Sequence, residues 1–124
     1  MEGKRRRILL VDDNIVNLDI GRKLLSEFYS VIPATSSDDM FKVLEKIKPE
    51  IILLDVVMPI VDGFEAIKRL KADERYCEIP VIFLTAHSES SSEAKGYSLG
   101  AVDFVMKPFE REFMYNCIEK HLGV

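Results

Sequence analysis

The sequence predicts an α/β chain in which a parallel sheet is covered by helices on both sides. Three observations carry that reading. Short apolar runs alternate with stretches of helical period along the whole chain. Some of these runs, residues 51–54 (IILL) above all, are apolar at every position, as strands buried on both faces are. The connections are short, and right-handed crossovers between parallel strands then favour a doubly wound sheet of the flavodoxin-like kind, with five strands in the order 2-1-3-4-5 and five helices in a three-layer α/β/α stack.

The elements follow in order. Residues 8–11 (ILLV) form a strand that runs into Asp12-Asp13. Residues 14–28 keep a helical spacing, with Ile15, Leu18, Leu25 and Phe28 on one face and Gly21 permitting close packing. Residues 30–35 (SVIPAT) are a weaker strand, and Pro33 points to a place at the sheet edge. Ser36-Ser37-Asp38-Asp39 caps a second helix, whose acidic pair suits the helix dipole and faces water. Met40, Phe41, Val43, Leu44 and Ile47 supply its apolar side, and Pro49 marks its end.

The third strand, residues 51–55, finishes on Asp55, and Asp62-Gly63 leads into a helix bearing Phe64, Ile67 and Leu70. Residues 80–84 (PVIFL) are the fourth strand, followed by Thr85-Ala86. Residues 88–99 form a serine-rich helix of low intrinsic propensity, interrupted by Gly96. Residues 101–106 are the fifth strand, ending at Lys107-Pro108. The last helix, residues 109–122, turns Phe109, Phe113, Cys117 and Ile118 inward.

At 124 residues, 48% apolar and 31% charged, the chain suits one globular domain. The expected division is a basic N-terminal tail, residues 1–7 with Lys4-Arg5-Arg6-Arg7, and one folded unit, residues 8–124. A net charge of −4 gives no support to a nucleic-acid or membrane surface. Cys77 and Cys117 form no CxxC spacing, which argues against a disulfide framework or zinc site and for a cytoplasmic setting. No apolar run approaches the length of a bilayer span.

In an open parallel sheet, ligands bind beyond the carboxyl ends of the strands, where the strand order reverses. Those ends carry Asp12-Asp13, Thr35, Asp55, Thr85 and Lys107. With the first and third strands adjacent, three carboxylates share one crevice. Two like charges about 5 Å apart at an effective dielectric near 20 repel by roughly 3 kcal/mol. Either a carboxylate protonates or a cation sits among them. The donors are hard oxygens with no cysteine or histidine in the same loops, so the cation favoured is Mg2+ or Mn2+. Thr85 and Lys107 add a hydroxyl and an ammonium, and the set suits a bound phosphoryl group.

Four segments, ILLVDDN (8–14), IILLDVVMPIVDGFE (51–65), VIFLTA (81–86) and GAVDFVMKPF (100–109), occur in the order and at the strand ends that mark a known family. The chain resembles the receiver domain of two-component response regulators from about residue 8 to residue 122. The resemblance implies that Asp55 is a phosphoacceptor, taking its phosphoryl group from the phosphohistidine of a sensor histidine kinase, from a phosphotransfer protein or from a small phosphodonor. It implies a Mg2+ site built from Asp13, Asp12, Asp55 and the backbone carbonyl of Val57. It makes Thr85 and Lys107 partners of the phosphoryl group, the Lys107-Pro108 peptide cis, and Phe104 an aromatic that swings inward when Thr85 moves. His87 and Val57 stand where the family tunes phosphoryl lifetime. Such a domain turns over only its own phosphoryl group and controls an output domain or partner protein, and its last helix could form a homodimer face.

Two rival readings differ in class. An aspartate-nucleophile phosphatase of the haloacid dehalogenase type would need a second aspartate two residues after Asp55, where this chain has Val57. A receiver-like module inert to phosphorylation would keep the fold as an interaction surface alone. Neither GxGxxG nor GxxxxGK follows the first strand, which disfavours nucleotide binding.

Overall fold

The computed structural model describes residues 5–58, 60–85 and 90–122, the side chains of 90–92 excepted. Among these residues five strands, β1 (Arg7–Val11), β2 (Ser30–Ala34), β3 (Ile51–Asp55), β4 (Val81–Thr85) and β5 (Asp103–Met106), alternate with five helices. The helices are α1 (Ile15–Leu25), α2 (Ser37–Leu44), α3 (Gly63–Lys71), α4 (Ser90–Leu99) and α5 (Arg111–Leu122). All strand pairs are parallel and their order is β2-β1-β3-β4-β5, as expected. Pro33 sits on the edge strand β2, opposite Leu10, where a missing N–H can face away from the ladder.

Strand side chains alternate between two cores, as the pleat dictates. Leu9, Val11, Ile52, Leu54, Val81 and Phe83 face α2 and α3, meeting Met40, Leu44, Ala66, Ile67 and Leu70. Ile8, Leu10, Ile51, Leu53, Ile82, Leu84 and Val105 face the other way, onto Leu18 and Leu25 of α1 and Met114, Cys117 and Ile118 of α5. Burying one such side chain is worth about 1.5–3 kcal/mol, so the two layers hold the strand ends rigidly in place.

Caps behave as their residues suggest. Asn14, Ser36 and Asp62 accept the backbone N–H groups of Asn17, Asp39 and Glu65 at the starts of α1, α2 and α3. Asp39 is not simply turned to water, because its Oδ2 accepts the N–H of Thr35 at 3.0 Å. Gly21 does lie close to the sheet: a Cβ there would come within 2.8 Å of Leu10 Cδ2.

Several expectations are corrected. Ile15 and Phe28 are 73% and 59% exposed, not inward. Helical period places Ile15 on the face of Leu18, but Ile15 is the first residue of α1 and the buried face begins only at Leu18, and Phe28 follows the helix end at Leu25. Phe113 is half-exposed and Met114 is buried in its stead. At about 100° per residue Phe113 lies roughly 95° from the centre of the face made by Met114, Cys117 and Ile118, which puts it on the rim. α2 stops at Leu44, before Pro49, and α5 begins at Arg111 rather than 109. β5 begins at Asp103 rather than 101, and β4 runs one residue later than expected, so Thr85 is its last residue.

The basic run is anchored where it meets the fold. Arg7 is the first residue of β1, Arg6 donates to the Leu122 carbonyl at 2.9 Å, and Arg5 donates to the carbonyl of Ser26. His87 and the first residues of the serine-rich stretch, 86–89, lie outside the described residues.

Candidate functional site

The site is assembled at the carboxyl edge of the sheet. Asp12 follows β1, Asp55 ends β3, Thr85 ends β4, and Lys107 follows β5. Asp12, Asp55 and Thr85 are buried, whereas Asp13 is exposed at the rim. Each is placed by main-chain contacts that a strand end makes. Asp12 Oδ1 accepts the N–H of Asn14 at 2.9 Å, and Asp55 Oδ1 accepts that of Val57 at 3.3 Å. The N–H of Lys107 donates to the Thr85 carbonyl at 2.8 Å, and the Lys107-Pro108 peptide is cis.

Gly63 supports Asp55 from behind. A Cβ at this position would lie 2.4 Å from the Asp55 carbonyl oxygen and 2.8 Å from Val56 Cα, which are main-chain atoms unable to yield. Its N–H donates to the Val56 carbonyl at 2.8 Å. The sequence marks Asp62-Gly63 as a turn into a helix. That the glycine also lets α3 close against the end of β3 becomes visible only once the two are packed.

Oxygen atoms of Asp12, Asp13 and Asp55 all lie within 4.8 Å of one another. The crowding is relieved by a cation that belongs to the chain. Lys107 Nζ sits 2.8 Å from Asp12 Oδ2 and 3.3 Å from Asp55 Oδ2. Burial, and then the neighbouring charge of Asp12, push the Asp55 carboxyl up to about 7, with Lys107 pulling the other way. For Lys107 burial acts downward, but the bond to Asp12 and the charges of both aspartates outweigh it and raise its pKa. Sequence reasoning offered protonation or an added cation as alternatives. The fold uses a third, an internal ammonium, together with a carboxyl that holds its proton more tightly than usual.

The donor set fits a hard divalent ion: three carboxylates, one of them open to solvent. Thr85, the last residue of β4, lies at the same strand edge. Phe104 is inward, 7% exposed, with its ring centroid 5.5 Å from that of Phe83. Beside the site, a groove of about 550 Å³ is lined by Ile15, Val16, Ile20, Pro33 and Thr35 among others.

Comparison with known proteins gives the same picture. Residues 8–119 match the family described as response regulator receiver domain. Response regulator PleD of Caulobacter vibrioides is 36% identical over 110 residues, covering 88% of this chain and 24% of PleD. RpaA of Synechocystis, a DNA-binding dual master transcriptional regulator, is 36% identical over 109 residues, covering 87% of this chain and 45% of RpaA. Across the curated relatives compared, this chain spans between 24% and 54% of their length. Among solved structures, the receiver domain of sensor histidine kinase PA1611 from Pseudomonas aeruginosa, with a magnesium ion coordinated in its active site cleft, superposes with a TM-score of 0.88 at 27% identity, covering 98% of this chain and all of that one. The chemotaxis response regulator CheY4 of Vibrio cholerae superposes at 0.88 with 25% identity, covering 95% of this chain and 99% of the other.

Proposed function

Because the chain belongs to the response regulator receiver domain family, we propose that it takes a phosphoryl group onto Asp55 and changes shape in consequence. The observation that carries this is the convergence of Asp12, Asp13 and Asp55 within 4.8 Å, with Lys107 between two of them. An Asp55 carboxylate oxygen attacks phosphorus. The bond from phosphorus to the donor's histidine nitrogen breaks, and its electron pair leaves with the imidazole. Lys107 pulls Asp55 toward the ionised form that attack requires, against the larger effects of burial and of Asp12. The rigid end of β3 holds the nucleophile in place. Asp13, Asp55 and the Val57 carbonyl, with Asp12 behind them, would hold Mg2+ or Mn2+, which when bound offsets the charge of the phosphoryl oxygens. Thr85 and Lys107 each take one of those oxygens.

Phosphorylation exchanges one negative charge for about two and adds acceptor oxygens, and this draws on Thr85 at the end of β4 and on Lys107. Phe104 and Pro108 border the elements that respond. The phosphodonor is a sensor histidine kinase or phosphotransfer protein, and the exposed apolar residues Ile15, Val16 and Ile20 beside the cleft suit a protein surface laid across it. Tyr97, Met106 and Phe113, half-exposed on α4, β5 and α5, would serve a homodimer or an output partner. The receiver unit occupies residues 8–124, with Arg5 to Arg7 as its anchored lead-in. The only turnover proposed is that of its own phosphoryl group. A cytoplasmic setting agrees with two free cysteines and with no described helix being long and apolar enough to cross a membrane.

Incubation with Mg2+ and acetyl phosphate tests the assignment. Wild type should gain the mass of one phosphoryl group and Asp55→Asn none. Equal labelling of the variant would move the acceptor elsewhere. No labelling of wild type would favour the phosphorylation-inert module.

A further inference from the structure

A helix leaves the carbonyls of its last turn without donors of its own. At the ends of α1 and α5 those carbonyls find donors elsewhere in the fold. In α1 the Leu24 carbonyl takes the Tyr115 hydroxyl, and the Leu25 carbonyl takes the N–H groups of Phe28 and Tyr29. The carbonyl of Ser26, the residue that caps α1, takes the Arg5 guanidinium. In α5 the Leu122 carbonyl takes Nη1 of Arg6 at 2.9 Å. Two consecutive arginines of the basic run therefore close two different helices, each placing a positive charge at the negative end of the helix dipole. Both side chains start from a root held by the sheet. The Arg6 carbonyl accepts the Ser30 N–H at 2.9 Å, and the Arg7 N–H donates to Glu50 Oε1 at 2.7 Å.

The acceptors chosen for these two arginines are the weaker kind. Among the described residues the arginines that pair with carboxylates are Arg69, Arg75 and Arg111, whereas Arg5 and Arg6 rest on neutral carbonyls. A carboxylate offers a guanidinium an opposite charge and two acceptor atoms, and a single carbonyl offers neither. Arg5 is exposed and the bond from Arg6 is only part-buried, so a competing acceptor can reach both. We infer that Arg5 and Arg6 form an exchangeable strap. Seated, they hold the last turns of α1 and α5; drawn onto an acidic peptide, they release both. The net charge of −4 repels such a peptide from the chain as a whole, so it needs a local basic run to bind. The strap lies at the edge where the strands begin, and the aspartate cluster lies at the edge where they end. An acidic partner would loosen the end of α5 without entering the cleft, and this inference does not rest on phosphoryl transfer to Asp55.

Amide hydrogen exchange on the whole chain at low salt tests it, with an N-acetylated hexaglutamate amide as the acidic probe. Arg6→Gln should quicken exchange at residues 119–122 roughly tenfold, and Arg5→Gln at residues 26–29, while β1 and β3 keep their protection. Unchanged exchange at both helix ends overturns the strap. Saturating hexaglutamate should quicken the same two segments in wild type, and about 0.5 M NaCl should abolish that effect. With both arginines replaced by Gln, the peptide should change nothing further. A peptide that leaves wild-type exchange unaltered, or that acts as strongly on the double variant, refutes the exchange of partners. If a variant does not fold, the response of wild type to the peptide and to salt decides.

Discussion

The charge arrangement around Asp55 can be tested without any phosphoryl chemistry, by replacing its carboxylate with the amide of Asn. In the folded chain this carboxyl is pushed up to about 7, by burial first and the Asp12 charge second. In the unfolded chain its pKa is about 3.9. Between roughly pH 4 and pH 7 the folded state holds a proton that the unfolded state has released, so stability falls as pH rises through that window and levels off above it. Three units at about 1.4 kcal/mol each set an upper bound near 4 kcal/mol. Water at the mouth of the cleft screens part of this, and about 2 kcal/mol is expected. Asp55→Asn keeps the shape and loses the titration. In the presence of EDTA the variant should match wild type near pH 4 and exceed it by about 2 kcal/mol near pH 8. The chain has no Trp, so urea unfolding is best followed by far-UV circular dichroism. Mg2+ at the higher pH should stabilise wild type selectively and narrow the gap. Two stability profiles separated by a constant offset across the range would mean that Asp55 titrates as an ordinary carboxylate, and the reasoning from burial and crowding would fail.

Three further outcomes follow from particular residues. Asp13→Ala removes the solvent-facing carboxylate of the cluster and should weaken Mn2+ binding roughly tenfold or more by calorimetric titration, while metal-free stability rises or holds; unchanged affinity would exclude Asp13 as a ligand. Ile60 is fully exposed with φ 68°, a conformation that costs a β-branched residue about 1–2 kcal/mol and that asparagine adopts readily. Ile60→Asn should therefore raise the melting temperature by a few degrees, and a lower value would contradict the strain. Ser36 caps α2 through the N–H of Asp39 at 3.0 Å, and Ser36→Ala should cost about 1 kcal/mol in urea unfolding.

How much of this was legible in the sequence differs by kind of feature. The strand ends were readable because a run apolar at every position that stops on Asp12, Asp55 or Thr85 has no local reason to stop there. The caps at Ser36 and Asp62 were readable because capping is a contact over three residues. Faces were less so. Period assigned Ile15 and Phe113 to inward sides, but period does not say how far along a helix, or how widely around it, the buried face extends, and both residues are exposed. Lys107 was placed correctly at a strand end, and was read as a group waiting for an anion. Its present partners, Asp12 and Asp55, lie far away along the chain, so no local pattern could disclose that it neutralises them.

The order of apolar and polar residues was by itself enough to decide the layered α/β architecture and the set of side chains delivered to one edge of the sheet, since each depends on the period of burial and on short connections. Tertiary packing alone decided which of those side chains touch. The contacts of Gly63 with the end of β3 and of Lys107 with two aspartates are separations of a few ångströms between distant parts of the chain, and such distances are set by how whole layers close on one another.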